Sequence, residues 1–361
     1  MSALRHYTCN GPFVMKRGVI TDPTFAYETW GELNAARDNA VLIFTGLSPS
    51  AHAASSPQDP STGWWEDMIG PDKPIDTTRY FVICVNSLGS CFGSTGPASI
   101  DPATGCHYRL TFPVLHVEDI ARGGAAVLDH LGIRQLHTVL GASMGGMTAL
   151  AFAMLQPERT RGLVTISAAA RSLPFAIAIR SLQREIIRRD PAWQNGDYPL
   201  DEGPVIGMRL ARKLGMITYR SAEEWAERFG RERAQSAAPV DHPFGLDFEV
   251  ESYLEAQAAK FAGRFDPNCY LYLSRAMDLF DVADHGGSLE SGFGRVRLER
   301  AMVIGVETDF LFPVEQQEQI ALELKKHVKD VRFHRLASIQ GHDAFLVDME
   351  RFRPVIARYF Q

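Results

Sequence analysis

Residues 136–152 read "LHTVLGASMGGMTALAF". The first part, "LHTVLGA", is apolar and partly β-branched, which predicts a strand. From Met144 the composition turns to Gly, Ala, Leu and Met, a helix that Pro157 stops. Ser143 sits where the strand meets the helix, in Gly141-x-Ser143-x-Gly145. Glycines two residues away on either side let the chain turn tightly around an exposed nucleophile. A helix starting at Ser143 also turns free N–H groups and its dipole toward a developing oxyanion. A small-residue bend can occur by chance, so the pentapeptide alone decides little. Its strand–turn–helix setting favours a nucleophile.

The same alternation continues on both sides. Strands are predicted in "AVLIFTG" (40–46), "RYFVICVNS" (79–87), "TRGLVTISAA" (160–169), "RAMVIGVET" (300–308) and "VRFHRLAS" (331–338). Helices are predicted in "VEDIARGGAAVLDHLGI" (117–133), "PVEQQEQIALELKKHV" (313–328) and "AFLVDMERFRPVIARYF" (344–360). Such alternation implies an α/β fold with a mostly parallel sheet covered on both faces. Residues 172–295 break the pattern. They read as several helices, among them "SLPFAIAIRSLQREIIRR", "GMRLARKLGMI", "SAEEWAERFGRERAQ" (221–235) and "VESYLEAQAAKFAGRF". The expected organisation is one α/β-hydrolase core (1–171 and 296–361) interrupted by a helical lid at 172–295.

A serine hydroxyl needs a base. In α/β-hydrolase order the acid follows a late strand and the histidine comes near the end. Asp309, in "ETDFLFP", follows the strand "RAMVIGVET", and His342, in "IQGHDAFL", follows "VRFHRLAS". His334 lies within a strand and His327 ends a helix, so neither suits a catalytic loop. Asp343 is adjacent to His342 and poorly placed to orient its ring, while Asp281 and Asp284 belong to the insertion. The expected triad is Ser143, His342 and Asp309. Its oxyanion donors are the backbone N–H groups of Met144 and of Leu47, in "FTGLSPSAH". For Thr45-Gly46 a plain strand-ending turn reads equally well.

Composition limits the other classes. The 361 residues are 45% hydrophobic and 22% charged, as in a globular protein with a large core. No apolar run approaches the ~20 residues that span a bilayer, and the N-terminus lacks a signal-peptide core. The five cysteines show no C-x-x-C spacing, which argues against a disulfide framework or structural zinc and for a cytoplasmic setting. The net charge of −6 argues against nucleic-acid binding. Histidines lack metal-ligand spacing, so no metal is expected. The Gly- and Ser-rich "LGSCFGSTGP" (88–97) lacks the Lys-Ser/Thr of a P-loop and reads as a loop bordering the active site; Trp64 and Trp65 read as packing anchors.

Nearly the whole chain resembles the homoserine O-acyltransferase family. The resemblance rests on "GWWEDMIGPDKPIDTTRYFVICVNSLGSCFGSTGP" (63–97), "GASMGGMTAL", "ARKLGMITYRS", "DFLFP" and "GHDAFL". It implies an acyl-CoA co-substrate, no bound cofactor, a lid-mediated homodimer and a ping-pong reaction in which an amino-acid hydroxyl accepts the acyl group. By motif it implies Arg212 as holder of the acceptor's α-carboxylate, with Tyr219 and Asp343 around its amino group. Without the resemblance, Arg212 also reads as an exposed lid charge and Tyr219 as a packing residue. Two features depart from the commoner family pattern. The loop Gly46-Leu47-Ser48-Pro49 replaces a Leu-Thr-Gly-x-x-His type and is expected to shape the acceptor pocket. Arg180 stands where acetyl-using members carry a small polar residue, a partner for the distal carboxylate of succinyl-CoA.

With "NCYLYLSRAMDLFD" (268–281), these features resemble the serine O-succinyltransferase branch. Arg180 also belongs to an i, i+4, i+8 row with Arg184 and Arg188, which reads either as a solvated face or as a contact for CoA phosphates. Homoserine O-succinyl- and O-acetyltransferase remain open, because the acceptors differ by one methylene, worth ~1–3 kcal/mol. An esterase or thioesterase with the same triad is the remoter alternative.

Overall fold

In the strand Ala40–Phe44 all five residues are buried. Leu42 and Phe44 join one apolar core, Val41 and Ile43 another. Successive side chains leave opposite faces of a strand, so a fully apolar strand requires cover on both sides. This is β5 of the computed structural model, which describes residues 3–234 and 244–361.

The preceding strands are β1 (Arg5–Thr8), the hairpin β2 (Pro12–Met15) and β3 (Gly18–Thr21), and β4 (Thr24–Trp30). After β5 come a short pair, β6 (Ile69–Gly70) and β7 (Ile75–Asp76), then β8 (Phe81–Val85), β9 (Thr138–Ala142), β10 (Gly162–Ile166), β11 (Arg300–Val306) and β12 (Asp330–Leu336). Eight of them form one sheet in the order β1-β4-β8-β5-β9-β10-β11-β12. The β1–β4 and β4–β8 pairs are antiparallel, and every pair from β8 to β12 is parallel.

Helices α1 (Val117–His130) and α2 (Met144–Leu155) precede β10. Between β10 and β11 lie α3 (Pro174–Arg189), α4 (Val205–Tyr219), α5 (Ala222–Phe229), α6 (Glu249–Phe261), α7 (Pro267–Leu279) and α8 (Leu289–Phe293). The chain closes with α9 (Val314–Lys325), α10 (Ala344–Val347) and α11 (Met349–Phe360). Residues of α1, α2 and α9 fill one core, and Phe352, Ile356 and Phe360 of α11 fill the other. Among the described residues no helix is long and apolar enough to cross a membrane.

Three local expectations are corrected. The helix expected over 344–360 breaks at Asp348, which has φ −98° and ψ 61°. The helix expected over 221–235 ends at Phe229, where Gly230 takes φ +50°; Gln235 lies outside the described residues. Residues 88–97 do not line the cavity that holds Ser143. They pack instead between β4 and the start of α7: Thr95 N donates to Thr24 O at 2.8 Å, and Asp266 N lies 3.3 Å from Cys91 Sγ.

Candidate active site

The turn from β9 into α2 puts Ser143 at φ +54° and ψ −122°. An L-residue there carries backbone strain, which surrounding structure must hold in place. It does so through Ser143 N donating to Ile166 O (2.9 Å) and Ser143 O accepting from Gly146 N (3.0 Å) and Met147 N (3.1 Å). A Cβ on Gly141 would lie 2.2 Å from the Gly145 carbonyl carbon, and one on Gly145 would lie 2.2 Å from Phe44 O. Both glycines are thus steric requirements of the turn. Helix α2 is buried on nearly every side, with only Leu155 of its residues left partly open. Its first N–H groups, Met144 among them, have no partner within the helix.

His342 reaches this turn from the loop after β12, in a one-turn helix over Gly341–Asp343. Its Nε2 is 2.8 Å from Ser143 Oγ, and its Nδ1 is 2.7 Å from Asp309 Oδ2. Asp309, just past β11, is held by its other oxygen, which accepts from the N–H groups of Leu311 (3.0 Å) and Phe312 (2.9 Å). Both His342 and Asp309 are buried. Burial by itself pulls the imidazole pKa down. The charge and hydrogen bond of Asp309, with the charge of Asp343, outweigh it, so His342 is raised above its ordinary value. The arrangement can remove the Ser143 proton and hold it on a carboxylate-braced imidazole.

A cavity of about 120 Å³ opens over Ser143. Gly46, Leu47, Ser48 and Pro49 line it, as do Arg180, Arg212, Tyr219 and Asp343. Residues far apart in the chain, Leu47 and Arg212 among them, therefore meet at one point. The Arg212 guanidinium lies 4.5 Å from the Phe261 ring and 5.8 Å from the Tyr219 ring. Among the described residues no carboxylate lies within ion-pair distance of it. Burial raises the Asp343 carboxyl above its ordinary value, although His342, Arg220 and Arg212 act against that; its nearest cation is Arg220 Nε at 3.8 Å. The cavity thus holds a guanidinium with no carboxylate partner among the described residues and a buried carboxylate whose ion pair is the 3.8 Å contact with Arg220. Burial also raises the Tyr219 phenol, whose ring lies 6.0 Å from that of His342.

Arg180 is not on a solvated face: it is 5% exposed and faces the cavity. Its Nε donates to Asp278 Oδ1 (2.7 Å), and its Nη2 donates to Ser172 Oγ (2.6 Å). Arg184 Nη2 sits 2.7 Å from the other oxygen of Asp278. Neither Asp278 nor Ser172 is distinguished by spacing in the sequence. Asp278 lies inside the "NCYLYLSRAMDLFD" segment, and only the packing of α7 against α3 gives it a partner. Trp65 is a buried anchor whose indole N–H donates to Phe345 O at 3.0 Å. Trp64 packs against the same core, with its ring stacked on that of Trp65 at 5.6 Å, and its outer side also lines the cavity. No cluster of metal-ligating side chains is present among the described residues.

The nucleophile turn, the late histidine and the sheet order coincide with the profile described as alpha/beta hydrolase fold, which matches residues 39–348. The chain belongs to the α/β-hydrolase family. Within that family it is 60% identical over 359 residues to the serine O-succinyltransferase of Litchfieldella anticariensis, covering 99% of this chain and 98% of the relative. It is 58% identical to the serine O-succinyltransferase of Stenotrophomonas maltophilia, over 98% of this chain and 96% of that one. Among solved structures it resembles homoserine O-acetyltransferase from Bacillus anthracis, with a TM-score of 0.90, 27% identity and coverage of 100% and 98%. Esterase E22 gives the same TM-score, 0.90, at 28% identity, with both chains fully covered. Relatives of this kind make this α/β-hydrolase chain an O-acyltransferase.

Proposed function

We propose that this chain transfers the succinyl group of succinyl-CoA to the hydroxyl of L-serine, giving O-succinyl-L-serine and CoA. The observation that carries the proposal is that Arg212, with no carboxylate partner among the described residues, and Asp343 line the same small space as Ser143. A water acceptor would complement neither charge. An α-amino acid supplies the carboxylate and the ammonium that complement them.

His342 Nε2 takes the Ser143 proton as Oγ bonds to the thioester carbonyl carbon. The oxyanion is held by the N–H groups of Leu47 and Met144. The carbon–sulfur bond then breaks, and CoA leaves with the proton from His342. L-Serine next gives its hydroxyl proton to His342 and attacks the acyl carbon. Ser143 departs and recovers that proton. Asp309 keeps the ring in the tautomer that accepts at Nε2. Arg180 meets the distal carboxylate of the succinyl group, and the loop Gly46–Pro49 limits the acceptor's length. Tyr219 lies beside the acceptor amino group.

The same reading includes a cytoplasmic setting and a homodimer joined through the lid. Leu182 on α3 and Ile206, Leu210 and Ile217 on α4 support the latter, since each is 46% to 67% exposed. The likeness to esterase E22 favours a second reading, in which water discharges the acyl-enzyme. Intact-mass spectrometry separates the two. With succinyl-CoA alone, the protein should accumulate one succinyl adduct that Ser143→Ala lacks and that L-serine discharges. An adduct that decays equally fast without an amino acid would favour the hydrolase.

A further inference from the structure

A cavity larger than the one over Ser143 lies on the other side of the α3–α7 pair, enclosing about 820 Å³. Its wall carries Arg17, Arg184, Arg188, Arg189 and Arg275, against a single carboxylate, Glu185. Glu185 pairs with Arg189 at 3.4 Å. Arg17, Arg188 and Arg275 have no carboxylate within ion-pair distance among the described residues. A protein of net charge −6 thus concentrates uncompensated arginines at one concave place. Desolvation, together with the nearby charges of Arg275 and Arg180, already lowers the Arg184 pKa, although Asp278 acts against it. An anion in the cavity relieves that repulsion.

Two aromatic walls complete the site. Trp193 is fixed by its indole N–H donating to Asn268 Oδ1 at 3.0 Å, and the Arg188 guanidinium lies 5.5 Å from its ring. Tyr272 is fixed by its hydroxyl donating to Phe112 O at 2.8 Å. Guanidinium forks match phosphate oxygens, and rigid aromatic planes accept a base or ribose face. The volume suits a ligand of nucleotide size.

We propose that this arginine-lined cavity between α3 and α7 binds a nucleotide bearing more than one phosphate. Two sources share that chemistry: the phosphorylated adenosine end of the acyl-CoA donor, and a separate nucleotide. The donor source rests on the acyl-transfer reading, whereas the binding site itself does not. The two cavities share the α3–α7 wall, where Asp278 holds Arg180 on one side and Arg184 on the other.

The test is calorimetric titration of the full chain with adenosine 3′,5′-bisphosphate. The variants are Arg188→Ala/Arg275→Ala and the control Arg5→Ala/Arg295→Ala. All four side chains are exposed, so the fold should survive. Saturable binding that weakens roughly tenfold or more in the first variant and is unchanged in the control supports the site. No saturable binding, or equal binding in all three proteins, overturns it. A kinetic arm identifies the source by comparing succinyl-CoA with the succinyl thioester of N-acetylcysteamine, which lacks the nucleotide. A raised KM for the CoA thioester alone assigns the cavity to the donor. Lost nucleotide binding with both KM values unchanged assigns it to a separate nucleotide. If no acyl group is transferred at all, the functional reading fails while the calorimetry still decides the site.

Discussion

Replacing Asp309 with asparagine exchanges one oxygen for an NH2 group and leaves the shape of the side chain intact. In the wild type, Oδ1 accepts two backbone N–H groups and Oδ2 sits 2.7 Å from His342 Nδ1. The introduced amide keeps its carbonyl oxygen on those N–H groups, so its NH2 faces Nδ1 as a donor. Nδ1 must then be unprotonated, which puts the imidazole proton on Nε2. That nitrogen, 2.8 Å from Ser143 Oγ, can no longer accept the hydroxyl proton. In a serine protease triad the equivalent change of tautomer lowers kcat about 10⁴-fold, which is about 5 kcal/mol of barrier. Asp309→Asn should lose kcat/KM to that order, read as CoA release with a thiol reagent, and keep a thermal midpoint near the wild-type value. The pH profile should move as well. His342 must be neutral to act as base, and Asp309 contributes to raising its pKa, so the acid limb of the wild type lies above the ordinary histidine value. With that charge removed, the residual activity should show its acid limb at lower pH. A folded Asp309→Asn protein that loses less than about tenfold, with an unshifted acid limb, would refute the tautomer argument.

Arg212→Ala should raise the KM for the amino-acid acceptor by ~10- to 100-fold, the worth of a charge-assisted pair, while single-turnover acylation by succinyl-CoA stays near wild type. Loss of acylation to the same extent would place Arg212 elsewhere in the reaction. Arg180→Ala should lower kcat/KM for succinyl-CoA far more than for acetyl-CoA, and equal losses would remove its role in donor choice. A third expectation concerns stability. Burial, followed by the charges of Arg300, Arg161 and Arg79, depresses the His137 pKa to about 4. Its neutral form is the one that fits the fold, so the unfolded chain binds the proton first and stability is lost as pH falls from about 6.5 toward 4. His137→Phe keeps a ring beside Tyr80 and Phe360. It should flatten the fall in thermal midpoint across that window; an unchanged slope would show that His137 does not drive it.

The central strands are legible because parallel strands buried on both faces read as continuous apolar runs, as "AVLIF" and "TVLGA" do. The N-terminal strands are not. β1 has no buried residue, and the antiparallel pairing of β4 with β8 depends on partners far along the chain. The triad is legible because each member stands at a punctuated boundary. Ser143 lies between two glycines that the turn requires, and Asp309 and His342 each follow a strand end. Asp278 is not legible, since a helical aspartate acquires meaning only when α7 brings it to Arg180 and Arg184. Trp64 is legible only in part: it stacks on Trp65 as an anchor, but its place in the cavity wall appears only when the loop around Ser48 is brought beside it. The arginine row of α3 divides, with Arg180 toward Ser143 and Arg188 toward the opposite cavity.

The most direct measurement is the initial rate of CoA release by the purified chain with acetyl- or succinyl-CoA, each paired with L-serine, L-homoserine or no amino acid. Succinyl-CoA with L-serine should give the highest kcat/KM, and release without an acceptor should be slow. A homoserine pairing that wins would contradict the acceptor assignment, and release that is as fast with no amino acid present would contradict acyl transfer itself.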